Sequence, residues 1–213
     1  MSDLIQRVPD LRGQLRDRLE RRLRLGIYPE DVKLTEHSVA REFDVSRTPA
    51  REALAMLARE GLLERIGRGY VRARFSPQYI RHVFEARRRL EPYAVRLVAA
   101  KAAPAELEAL RSAFDLLAGQ VEDAHRYMDA LAALRRPLFE PSRNEHLVRL
   151  LSEYEAQIGY IRTKTLADLE TRKISVEGNR RLVAAICAHD EETAAREMLN
   201  LLLLAEAASM NVI

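Results

Sequence analysis

Leucine recurs at every fourth position from Leu11 through Leu15 and Leu19 to Leu23, which is the spacing of one helix face, and the pattern stops near Gly26. A shorter apolar face of Val39, Ala40 and Phe43 begins after Thr35, a residue type that caps helices. Only Asp44-Val45 separates it from Ser46, which can cap a third helix whose inner stripe is Ala50, Leu54 and Leu57 and whose closing residue is Gly61. The period then changes. Glu64-Arg65-Ile66 and Tyr70-Val71-Arg72 flank Gly67-Arg68-Gly69 and predict a small β-hairpin.

Arg74-Phe75-Ser76-Pro77 punctuates the chain, and every long segment after it has helical periodicity. Ile80, Val83, Phe84, Leu90, Ala94, Leu97 and Val98 mark a helix from about Pro77 to Ala102, with Arg87 and Glu91 on or beside its apolar stripe. Another starts at Pro104. A third spans roughly His125 to Glu140, where Pro137 should kink it or end it early. Asn144 can cap a fourth, and the last two run from about Ser175 to Ala188 and from Glu191 to about Met210. The predicted fold is mostly α: a winged helix-turn-helix over residues 1–74, then an antiparallel six- or seven-helix bundle over residues 75–213.

Charge sharpens this division. Of the 35 Lys+Arg and 32 Asp+Glu, residues 1–74 hold 16 and 12, so the basic excess lies in the first domain. The one cysteine, Cys187, excludes an intrachain disulfide framework and falls in an apolar helical pattern that predicts a buried thiol. No apolar run reaches 18 residues, and Met1 to Pro9 lack a signal peptide's apolar region, so a cytoplasmic protein with no membrane partner is expected.

The chemistry concentrates in Ser46-Arg47-Thr48-Pro49-Ala50-Arg51. Arg47 and Arg51 are four apart and share one face near the helix N-terminus, an arrangement suited to entering a DNA major groove. Arg68 at the hairpin tip could reach a phosphate or the minor groove. The run LTEHSVAREFDVSRTPAREALAMLAREGLLERIGRGYV, and SRTPAREAL within it above all, resembles the N-terminal domain of the GntR family of bacterial transcription regulators. That resemblance implies that Arg47 and Arg51 contact bases or nearby phosphates, that Ser46 and Thr48 contact the DNA backbone, and that the Gly67-Arg68-Gly69 tip inserts beside them. Where some members carry a DNA-contacting arginine, this chain has His37, which can donate at most one hydrogen bond when neutral.

The second domain resembles the FadR-like (FCD) subgroup, through ARRRLEPYAVRLVA at Ala86 to Ala99, Asn144 with its following apolar residues, and AAICAHDEETAAREM at Ala184 to Met198. Many members hold a divalent metal through an aspartate, a histidine four residues on, and two further histidines. The resemblance puts those positions on Leu131, Arg135, Asn179 and Leu201, so the family metal site is expected to be absent and no cofactor is implied. His125 and Asp129 are four apart, but such a pair is the ordinary helix-stabilising arrangement.

An arginine at position 135 needs a partner if it faces inward. Either Arg135, with Arg87 and Asn179, receives a small organic acid or other anion as effector, or Arg135 and Arg87 are structural and bridge Glu91 and other acids. Leu131 and Leu201 would line the same site. One reading helix binds weakly, so a homodimer on a palindromic operator in double-stranded DNA is expected, and Leu201 to Leu204 cannot all face one core. The leading function is an effector-controlled transcription regulator, a repressor and not an enzyme. A winged-helix protein-interaction scaffold and an enzyme with a fused DNA-binding module are the alternatives; no phosphate loop or nucleophile elbow supports the latter.

Overall fold

The computed structural model describes residues 10–29 and 31–212, the side chains of residues 24, 156, 157 and 160 excepted. Met1 to Pro9, the stretch read for a signal peptide, lies outside the described residues. The chain divides into two compact units between Arg74 and Phe75.

The first unit contains α1 (Leu11–Arg24), α2 (Glu36–Glu42), α3 (Arg47–Arg59), β1 (Leu63–Ile66) and β2 (Gly69–Arg72). Leu15, Leu19 and Leu23 of the fourfold repeat are buried, whereas Leu11 starts the helix in solvent. They meet Val39, Ala50, Leu54 and Leu57 in one small core. Thr35 and Ser38 fix the entry to α2 reciprocally: the Ser38 amide donates to Thr35 Oγ1 at 3.0 Å and the Thr35 amide to Ser38 Oγ at 2.9 Å. Between α2 and α3 the chain reverses through Asp44 at φ 51°, a left-handed position that aspartate tolerates better than most residues. Gly61 at φ 72° ends α3, with the Leu62 amide reaching back to the Leu57 carbonyl at 2.9 Å.

The two strands are antiparallel, with Leu63 opposite Arg72 and Ile66 opposite Gly69. Only Gly67 and Arg68 form the connection. Gly69, expected at the tip, instead begins β2 and is buried. The reason is a third partner: Leu34 and Tyr70 exchange both backbone hydrogen bonds, at 2.7 and 2.8 Å, and tie the hairpin to the segment before α2. A Cβ at Gly69 would stand 2.8 Å from the Leu34 carbonyl oxygen. Gly69→Ala is therefore expected to destabilise the first unit by about 1–3 kcal/mol. Thermal melting followed by circular dichroism checks this, and an unchanged midpoint would contradict the close approach.

The second unit contains α4 (Pro77–Lys101), α5 (Pro104–Gly119), α6 (Ala124–Phe139), a 3-10 turn (Glu140–Ser142), α7 (Glu145–Thr165), α8 (Leu169–Cys187) and α9 (Glu191–Met210). Side chains of Ser76, Asn144, Asp168 and Asp190 cap α4, α7, α8 and α9. The core gathers Phe84, Val95 and Val98 of α4 with Leu110, Leu117, Tyr127, Leu134, Leu138, Leu182 and Ile186. Two expectations are corrected. Pro137 does not stop α6, which continues to Phe139. A helix-interior proline costs about 3 kcal/mol, and burying Leu138 and Phe139 returns roughly 1.5–3 kcal/mol each. Likewise α8 begins at Leu169 rather than near Ser175, because Asp168 accepts from the Thr171 amide at 2.8 Å and Arg172 is buried. Arg172 donates to the carbonyls of Leu166 and Ala167, both at 2.8 Å, and of Val121 at 2.6 Å, so a residue type usually exposed serves as internal mortar.

Candidate nucleic-acid interface and ligand cavity

In the first unit α3 presents Arg47, Thr48 and Arg51 to solvent from its opening turns, while Ala50, Ala53, Leu54 and Leu57 hold its other face down. Ser46 is the N-cap residue, but its hydroxyl makes no cap hydrogen bond. Pro49 explains this: it occupies the third helical position, where the acceptor would otherwise find an N–H. An exposed hydroxyl, the open amides of a 13-residue helix and two guanidinium groups thus lie together at the positive end of the helix dipole. That combination is chemically suited to a phosphate group.

Some other arginines of this unit are tied down. Arg16 donates to Glu60 at 2.6 Å, and Arg22 pairs with Glu42, which also accepts from Tyr28 at 2.9 Å. Arg47, Arg51 and Arg68 have no such partner among the described residues. Arg68 projects at the hairpin turn, where Gly67 at φ 59° supplies the positive backbone angle that a two-residue connection needs. Lys33 is a further cation beside this turn, with Nζ 3.7 Å from where a Gly67 Cβ would stand. Sequence spacing could not reveal it, because the Leu34–Tyr70 bridge brings it there from far along the chain. His37 is exposed at the second position of α2.

In the second unit a cavity of about 290 Å³ opens among α4, α6, α7, α8 and α9. It brings together all five residues singled out for an effector: Arg87, Leu131, Arg135, Asn179 and Leu201. Arg87, 3 % exposed, and Glu91, fully buried, face each other one turn apart on α4. Arg87 Nε donates to Glu91 Oε1 at 2.6 Å, and Arg135 Nη2 reaches the same oxygen at 2.9 Å. Arg135 Nε lies 2.9 Å from Glu155 Oε2, and Arg162 pairs with the other Glu155 oxygen. The Arg87 and Arg135 guanidinium groups also lie over the rings of Phe84 and Phe139. The structural role considered for Arg87 and Arg135 is thus realised on Glu91, in the same place where both line the cavity.

Sequence reasoning missed Glu155 and Arg162, which α7 contributes across the bundle. No local pattern marks them. The cluster holds three guanidinium groups and two carboxylates. Burial alone would raise Glu91, but Arg135 and Arg87 outweigh it and hold the carboxyl down at about 2. Glu155 is likewise lowered, burial being outweighed by Arg162 and Arg135. Arg87 moves the opposite way from a well-paired arginine: burial lowers it, and Glu91 offsets only part of that. Arg87 Nη1 and Glu91 Oε2 are buried without a hydrogen-bond partner.

A divalent cation does not fit here. Of the four positions to which the resemblance carries the family's ligands, two are leucines, one is an amide, and the fourth, Arg135, is a fixed positive charge. The single carboxylate among the described lining residues already serves two arginines. His125 and Asp129 do not converge with a third ligand among the described residues; His146 instead meets Arg149, and His189 Nδ1 contacts the Ala99 carbonyl at 2.7 Å.

Residues 11–71 match the bacterial regulatory proteins of the gntR family, and residues 82–203 match the FCD domain. The chain is 23 % identical over 190 residues to the uncharacterized HTH-type transcriptional regulator YdhC of Bacillus subtilis, covering 87 % of this chain and 85 % of that one. It is 27 % identical over 172 residues to the Nta operon transcriptional regulator of Aminobacter aminovorans, covering 78 % and 79 %. Among solved structures, McbR/YncC of E. coli superposes with a TM-score of 0.84 at 19 % identity, over 94 % of this chain and 97 % of that one. A GntR regulator from Rhodococcus sp. RHA1 gives 0.80 at 19 % identity, over 95 % and 98 %. With the winged head, the free cationic edge and the cavity in place, these matches show that the chain belongs to the gntR family of bacterial regulatory proteins, in its FCD-domain branch, and is a DNA-binding transcription regulator with a C-terminal effector-binding domain.

Proposed function

We propose that the chain is a repressor that binds a palindromic operator as a homodimer and leaves it when a small organic anion enters the bundle cavity. Ser46, Arg47, Thr48 and Arg51 read and grip the major-groove side, and Gly67 and Arg68, with Lys33 beside them, reach the neighbouring backbone or minor groove. The observation that carries the reading is the set of unpaired arginines on the exposed face of α3, in a unit where Arg16 and Arg22 are neutralised. Effector control rests on the arginine-rich cavity that contains Arg87, Leu131, Arg135, Asn179 and Leu201.

Dimerisation has support in α9. Leu202 is buried, but Leu203 and Leu204 are 48 % and 49 % exposed, more apolar surface than one monomer's helix needs to present. No described helix is long and apolar enough to cross a membrane. The protein acts by binding, with no reaction of its own; an effector coupling of about 1–3 kcal/mol makes a useful switch.

Purified protein should retain a fragment of its own upstream region in a gel, sediment as a dimer, and lose affinity on the order of a thousandfold between about 50 and about 200 mM salt. Affinity that barely changes with salt, or retention by a monomer, would overturn the proposed mode of binding.

A further inference from the structure

The cavity has an electrostatic imbalance that specifies more than "anion". Arg87, Arg135 and Arg162 are opposed by Glu91 and Glu155, and Glu91 is the sole acid among the described lining residues. Among the described residues of this cluster, one positive charge is therefore left without a counter-charge. The buried Arg87 Nη1 has no hydrogen-bond partner, so a donor stands ready in the cluster for an acceptor from outside it. Burying an uncompensated charge is costly, and one bound negative charge removes that cost. A second or third negative charge would meet no further free cation and would have to be desolvated against Glu91.

The rest of the lining is mostly apolar. Leu131, Met198, Leu201 and Leu202 extend from the charged cluster, and the half-exposed Ile174 and Leu204 stand at the solvent side. A cavity of about 290 Å³ lies at the small end of ligand pockets, which start near roughly 300 Å³. Asn179 is held by the Ser175 carbonyl through Nδ2 at 2.8 Å, so its side chain is oriented before any ligand arrives.

Resting on the proposed control by an anion, we infer that the effector is a small amphipathic monocarboxylate, bound without metal, its carboxylate at the Arg87–Arg135–Arg162 cluster and its apolar body along Leu131, Met198, Leu201 and Leu202. The fixed guanidinium of Arg135 does the work that a divalent cation would do for a polycarboxylate, and it selects a single charge because only one is unbalanced.

Full-length protein is titrated with phenylacetate and hexanoate, with the neutral phenylacetamide, and with succinate and citrate, each in EDTA and again with added zinc or manganese. Melting temperature and operator retention are both read. Phenylacetate or hexanoate should stabilise the fold and release DNA equally with and without EDTA, while phenylacetamide and citrate do neither at the same concentration. Arg135→Met should weaken the response roughly tenfold or more. Because Arg135 also holds Glu91 and Glu155, Ile174→Asp serves as the second variant: half-exposed at the rim and away from the α9 leucines, it should fold normally and repel the same carboxylates. A response to citrate or succinate that needs metal, with none to the monocarboxylates, overturns the monocarboxylate inference and leaves anion control standing. Operator retention indifferent to every anion of either charge class overturns anion control as well.

Discussion

Replacing Glu91 by glutamine should lower the stability of the helical unit by about 3–5 kcal/mol, the usual result of removing one partner from a buried ion pair. For a unit of this size that corresponds to a fall of roughly 10 °C or more in its melting temperature. Glutamine preserves the shape, so poorer packing is not the cause. What disappears is the charge that Arg87 and Arg135 share on one oxygen, leaving three guanidinium groups opposed by Glu155 alone. The same carboxylate gives the pH dependence its sign. Its folded value lies below the ordinary 4.5, at about 2, so its contribution is complete above about 4.5 and disappears as pH falls through about 2. A shift of that size corresponds to about 3 kcal/mol. Denaturant unfolding between those pH values should show a steep fall in stability for the parent and a flatter profile in Glu91→Gln. Equal midpoints and equal slopes for the two proteins would mean that the cluster contributes nothing.

Why was so much of the first unit legible and so little of this cluster? The head is written in local signals. Thr35 with Ser38, Asp44, Gly61 and Gly67 each act within a few residues of themselves, and each marks the boundary that the structure shows. Even there, Ser46 misled in detail: its type suits a cap, but Pro49 three positions on removes the donor that the cap requires. Gly69 misled for the opposite reason. Its neighbours suggest a turn, but a strand-like pairing with Leu34, distant in sequence, draws it into β2.

In the helical unit the apolar stripes locate all six long helices, because burial repeats at helical spacing. Charged residues that are buried break the rule on which such reading depends. Glu170-Thr171-Arg172-Lys173 looks like solvent-exposed sequence, yet Arg172 is buried on backbone carbonyls and α8 begins before it. Arg135 could be recognised as needing a partner, and Glu91 as a candidate. Glu155 and Arg162 could not, since a helix must first be laid across the bundle before they meet. Residues 87, 131, 135, 179 and 201 share one cavity. The side chains that balance its charge come from tertiary structure alone.

The largest effect on DNA is expected from Arg47→Ala combined with Arg51→Ala. A bidentate arginine contact to a base discriminates by about 1–3 kcal/mol, and in a dimer the double change removes four guanidinium groups at once. Operator affinity should therefore fall at least roughly a hundredfold to a thousandfold at moderate salt. Both side chains are exposed and have no acid partner among the described residues, so stability should stay within about 0.5 kcal/mol of the parent. Single lysine replacements then divide the roles. A lysine keeps the charge but not the planar fork, so it rescues a phosphate contact and fails to rescue a base contact. If Arg47→Lys restores affinity for the operator and for unrelated DNA alike, Arg47 grips the backbone, and the salt dependence of the alanine variant should be shallower by about one unit for each phosphate no longer neutralised in a half-site. If lysine restores only the unrelated-DNA affinity, Arg47 reads a base. Undiminished operator retention by the double alanine variant would remove α3 from the DNA interface, because no other described element presents an unpaired arginine pair beside an open helix N-terminus in the winged head.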